Sequence, residues 1–132
     1  GICLGMQLLF QESCEFIKTK GIGFFEGKVE NFINYPVHKK TFIGWNKVDI
    51  KDGFFEDKDS LNLLKNNYFY FVHSYFVSTK NKKIESGSSF NGDLKFTSLA
   101  KKNNVTAFQF HPEKSGNSGL NLLKIVTKDI FQ

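Results

Sequence analysis

At 132 residues, with 40% hydrophobic and 23% charged side chains, the chain suits one domain with a real core and is too apolar to be disordered. Its apolar runs are too short to span a bilayer, and no export signal is visible. The formal charge of +5 raises nucleic acid as a partner, but all eighteen basic residues are lysines spread along the chain, so the arginine fork for phosphates and base edges is absent. With sixteen phenylalanines and many asparagines, compositional bias accounts for the charge better.

In chain order, LGMQLLFQESCEFI (Leu4 to Ile17) reads as a helix, from its apolar spacing and its good helix formers, ended by Gly21 and Gly23. Cys3 and Cys14 at either end of it would then lie about 16 Å apart, too far for a disulfide. Two thiols without an export signal point to a reducing cytoplasm, and Cys14 reads as a small buried apolar residue. GKVENFI is strand-like, and a polar loop follows to Thr41, in which His38 beside Lys39 and Lys40 is solvated. FIGWNKVDI reads as a strand ending in the turn Lys51-Asp52-Gly53, and Asp59 to Leu64 as a short helix. Tyr68 to Val77 is aromatic and β-branched, a single buried strand. Short strands at Lys82–Ser86 and Leu94–Leu99, a turn at 101–104 and the strand VTAFQF follow. The chain closes on an amphipathic helix with Leu120, Leu123, Val126 and Ile130 on one face. No repeat or linker divides these elements, so residues 1–132 are expected to form one domain.

Two stretches carry chemistry. In GICLG (Gly1 to Gly5), Cys3 has glycines two residues to either side, the pattern of a nucleophile on a strained strand-to-helix turn. There the helix dipole would favour thiolate. In QFHPEKSG, His111 and Glu113 are two residues apart at the end of an apolar run, so that in an extended chain both project to one face. Pro112 drives His111 out of the α region. Together they supply nucleophile, base and orienter for acyl transfer on an amide. Each stretch alone also has a plain reading, a buried structural cysteine and a solvated surface turn.

GICLGMQLLFQES, GWN, YFVHSY and QFHPEKSG, in that order, resemble the class I glutamine amidotransferases, and most nearly their branch that forms the glutaminase subunit of imidazole glycerol phosphate synthase in histidine biosynthesis. The resemblance implies an α/β, flavodoxin-like three-layer fold with a mixed sheet. It implies Cys3 as nucleophile, His111 as base and Glu113 as its partner. It also implies glutamine contacts from Leu4, Gln7 and the segment His73, Ser74 and Tyr75. Trp45, Tyr70 and Lys114 fall where this branch meets a (β/α)8 cyclase that receives ammonia, making a heterodimer. No cofactor or metal is implied. Read from residues alone, Gln7 serves equally as a packed helix glutamine, His73 as a satisfied strand-end histidine and Trp45 as a half-buried core aromatic.

Two departures stand out. Where the family has Pro-His-Met before GWN, this chain has Thr41-Phe42-Ile43. The family also carries, before its elbow, a supporting strand and a glycine-rich loop that completes the oxyanion hole. These are not among the present residues, so the fold is expected to be incomplete at its N-terminus. Alternatives are another class I branch (anthranilate, GMP or carbamoyl phosphate) or an inactive fragment that self-associates to cover an exposed sheet edge.

Overall fold

The computed structural model describes residues 1–64 and 68–131. The expected helix from Leu4 stops after little more than one turn, α1 (Leu4–Leu8), and the chain continues as strand β1 (Phe10–Ser13). The carbonyls of Leu8, Leu9, Phe10 and Gln11 accept N–H groups from Ile22, Phe25, Gly23 and Gly21, so no helix can use them. Phe10 and Phe25 are both fully buried, with ring centroids 5.2 Å apart. Burying those rings outweighs a helix preference of a few tenths of a kcal/mol per residue. Cys14, expected to be buried, is exposed as a result.

After β2 (Thr19–Lys20) come β3 (Phe25–Asn31), β4 (Phe42–Lys47) and β5 (Asp49–Ile50). Helix α2 (Lys58–Leu64) precedes β6 (Tyr68–His73) and β7 (Tyr75–Ser78). A hairpin of β8 (Glu85–Asn91) and β9 (Leu94–Lys102), then β10 (Val105–Phe108) and helix α3 (Gly116–Phe131), complete the chain. The main sheet runs β2-β1-β3-β7-β9-β8-β5, with β10 on β9, while β4 and β6 form a separate pair. Among the described residues only the β1–β3 ladder within it is parallel; the other ladders are antiparallel.

The expected single strand from Tyr68 to Val77 is two strands in different sheets. The break is Ser74, whose carbonyl accepts the Phe32 N–H and whose hydroxyl meets Thr41 Oγ1 at 2.7 Å. The strand expected at Lys82–Ser86 lies later, at Glu85–Asn91. Its serines disguise it: Ser88 and Ser89 are buried, and the Ser89 hydroxyl is bonded to Lys47 O and to Ser98 Oγ.

The main sheet is buried on both faces, as the α/β expectation requires. Met6 of α1 packs with Phe10, Phe25, Val29, Val77 and Ala107 on one side. On the other, Phe69, Phe71, Phe76, Phe96 and Phe110 form an aromatic seam against β4–β6 and α3. Helix α3 buries Leu122 and Val126, whereas Leu120, expected inward, is 51% exposed; the Ile130 side chain lies outside the described residues. Gly119 fixes that rotation, because a Cβ there would stand 1.9 Å from Pro112 O. Gly119→Ala is expected to lower stability by about 1–3 kcal/mol, read as a fall in the urea midpoint. No helix among the described residues is long and apolar enough to cross a membrane.

Candidate active site

Cys3 hangs from the end of β10. Phe108 donates its N–H to Gly1 O at 2.8 Å and accepts the Cys3 N–H at 2.7 Å, with Ile2 in a parallel bridge to it. The chain then turns abruptly at Cys3, with φ 51° and ψ −110°, a conformation that side chains rarely adopt. The Cys3 carbonyl starts α1 by accepting from Met6 and Gln7. The two glycines of GICLG differ in their need. A Cβ on Gly1 would lie 2.7 Å from Gly5 O, while one on Gly5 would meet nothing.

Beyond β10 the backbone crosses from one sheet to the other. The Gln109 N–H still donates to Ser98 O of β9, but the His111 N–H donates to Tyr70 O of β6. His111 is extended (φ −100°, ψ 93°), as expected before proline. Glu113 reaches it by a different route from the one expected. Pro112–Lys114 form a 3-10 turn, which brings Glu113 Oε1 to 2.6 Å from His111 Nδ1. A proton on Nδ1 then leaves Nε2 with a free lone pair. The buried Ser115 hydroxyl clamps this turn, donating to His111 O and accepting the Tyr70 N–H.

The local field on Cys3 is not what the motif implied. Burial pushes the Cys3 thiol up, and the Glu113 charge adds to this. The Leu4 N–H and Lys114 pull the other way without prevailing. A one-turn helix offers too little dipole to reverse desolvation.

A hydrogen-bonded chain connects the glutamines and the HSY segment. Gln7 Nε2 donates to Tyr75 O and to Gln109 Oε1, both at 3.2 Å, and Gln109 Nε2 donates to Cys3 Sγ at 3.8 Å. The thiol itself points at Val72 O, 3.9 Å away. His73 Nδ1 lies 2.7 Å from the same Tyr75 carbonyl. Its ring is buried among Phe32, Phe42, Phe71 and Phe96, its Nε2 has no hydrogen-bond partner among the described residues, and burial pushes its pKa down to about 4. Ser74 faces Thr41 instead of this chain.

Leu4 and Gln7 line a cavity of about 320 Å³ that begins beside the elbow. Leu8, Ser13, Phe16, the half-buried Glu15 and the segment Thr19, Lys20 and Gly21 complete its lining. Within the expected helix Glu15 carries no signal of a site; only the fold brings it to the lining of the cavity that Gln7 shares. A larger groove, about 580 Å³, lies by Gln11, Glu26 and Asn81 and contains none of the candidate residues. No group of three metal-ligating side chains occurs among the described residues.

Trp45 is 54% exposed and stands opposite Tyr70 across the β4–β6 pair, with rings 6.0 Å apart. It is therefore no core aromatic. Ile43 shares its face of β4 and is also exposed, whereas Phe42 turns inward. Lys114, next to Glu113, is exposed on the 3-10 turn.

The sequence matches the family glutamine amidotransferase class-I over residues 1–126. It is 44% identical over 126 residues to imidazole glycerol phosphate synthase subunit HisH of Caldanaerobacter subterraneus, covering 94% of this chain and 58% of that protein. The same subunit of Listeria innocua is 39% identical (94% and 57% covered), and that of Methanocaldococcus jannaschii 44% identical (94% and 60%). The chain thus spans less than two thirds of these curated relatives. The family match runs nearly end to end, and the chain belongs to the class I glutamine amidotransferases.

Proposed function

We propose that the chain carries the glutaminase centre of an imidazole glycerol phosphate synthase, releasing glutamate and ammonia from L-glutamine, with the ammonia passed to a (β/α)8 cyclase in histidine biosynthesis. The observation that carries this reading is the 2.6 Å His111–Glu113 pair on the turn that follows Gln109, whose amide touches the sulfur of Cys3. In this mechanism His111 Nε2 takes the Cys3 proton, and the thiolate attacks the side-chain carbonyl carbon of glutamine. Collapse of the tetrahedral adduct expels the amide nitrogen, which leaves as ammonia with the proton from His111. Water, deprotonated by His111, then cleaves the thioester to glutamate and restores the thiol.

The cavity beside Leu4 and Gln7 suits a small amino acid, with the Glu15 carboxylate for its ammonium and Lys20 for its carboxylate. The Leu4 N–H, already near the sulfur, supplies one oxyanion donor. The face formed by exposed Trp45 and half-buried Tyr70 has the composition of an interface centre and suits the cyclase contact.

A cysteine-directed glutamine analogue is expected to label Cys3 and spare the more exposed Cys14, as read by peptide mass mapping. Labelling that follows exposure, with Cys14 ahead of Cys3, would sink the reading. Binding to a histidine-pathway cyclase separates this branch from the other amidotransferases. Binding only to another synthase would reassign it.

A further inference from the structure

We propose that Gln109 is a further catalytic residue, whose side-chain N–H group holds the sulfur of Cys3 and stabilises it as thiolate. The proposal rests on the glutaminase reading and adds a donor to it.

The orientation of the Gln109 amide is forced. The Tyr75 carbonyl can only accept, so Gln7 must turn its NH2 group toward it. The second hydrogen of that NH2 points at Gln109, which must answer with Oε1. Its own NH2 is thereby left facing Cys3 Sγ at 3.8 Å. His73, neutral and holding Nδ1 to the same Tyr75 carbonyl, fixes the far end of the chain. Flipping any one amide would set donor against donor or acceptor against acceptor.

Gln109 is fully buried, in a strand end otherwise lined by Phe108 and Phe110. An apolar residue there would be cheaper to bury, because a carboxamide costs about 1–3 kcal/mol to desolvate unless it is bonded. Its bonds run to the residue that lines the cavity and to the nucleophile. The donor also answers a need at that atom. Burial and the Glu113 charge both disfavour the thiolate, and an N–H aimed at sulfur gains strength in such a dry setting when the sulfur ionises. A contact of 3.8 Å is long for neutral thiol and shortens readily toward an anion. Gln7 and Tyr75 act as positioning groups.

The test follows alkylation of Cys3 by iodoacetamide against pH, on the full chain with Cys14→Ser as parent and peptide mapping as readout. Glu113, Lys114 and His111, the charged and titratable groups on the adjoining turn, are the same in parent and variants and cancel in the comparison. Gln109→Met keeps the volume and removes the donor. It is expected to move the alkylation midpoint upward by about one pH unit, roughly a tenfold loss of thiolate near neutrality. Gln7→Met, at the half-buried end of the chain, should move it in the same direction by less, since it only frees the Gln109 amide. Unchanged midpoints in folded variants overturn the role of Gln109, and if Gln109→Met fails to fold, Gln7→Met decides alone. The glutaminase reading fails differently: the parent's Cys3 would then not be acylated by the glutamine analogue, whatever its alkylation profile.

Discussion

Replacing Cys3 with alanine is expected to lower glutamate release by roughly 10⁴-fold or more, because no other group can form the thioester. Cys14 is no substitute: it lies exposed, beyond β1, with its N–H on Val29 O. Alanine retains the Cβ, so the positive φ at this position and the contacts of the elbow are unchanged and the fold survives. Cys3→Gly separates chemistry from strain. It should be equally inactive yet more stable, by about 1–3 kcal/mol, since glycine accepts this backbone without penalty. Glutamate formation by a coupled dehydrogenase assay and urea midpoints read both effects. Release by Cys3→Ala within tenfold of the parent would refute the covalent route.

The second large effect concerns His73 and pH. In the folded chain burial holds this histidine neutral down to about 4, against an ordinary value of 6.5. Between those values the unfolded chain takes up a proton that the folded chain refuses. Stability is therefore full above about pH 6.5 and falls as pH drops toward 4, by up to roughly 3 kcal/mol. His73→Phe suits the surrounding cage of phenylalanines and does not titrate, so its urea midpoint should fall much less over this interval. Carboxylates add their own acid sensitivity. Glu85 is one: burial opposes its charge, but Thr97, Lys51 and Lys82 hold it net below the usual range. That contribution is common to both proteins. Equal slopes for parent and variant would show that His73 protonates freely and that its cage opens.

Legibility in the sequence followed how local each signal was. GICLG and HPE were readable because an elbow and a pre-proline histidine are determined by near neighbours. The exit of Phe10 into a strand was not, because its cause, Phe25, lies across a turn and competes with sound helix propensity. Nor was the split at Ser74: nothing in YFVHSYFV tells which residues face which sheet, and the hydrogen bond from Phe32 decides it. Gln109 and Glu15 went unnoticed for the same reason. Each sits in what the sequence presents as a regular element, and only the fold brings Gln109 onto Gln7 and Glu15 into the cavity that Gln7 lines.

The crossing between Gln109 and His111 has a mechanical consequence. The sulfur is mounted on the large sheet, through Phe108, while the imidazole is moored to the small one, through Tyr70 and the Ser115 clamp. Cys3 and His111 thus stand on two plates that share phenylalanine rings and a few side-chain bonds, such as Ser89 Oγ to Lys47 O, but no backbone ladder among the described residues. A load on the outer surface of the small plate, at Trp45, is handed to His111 through Tyr70, whose carbonyl holds the His111 N–H.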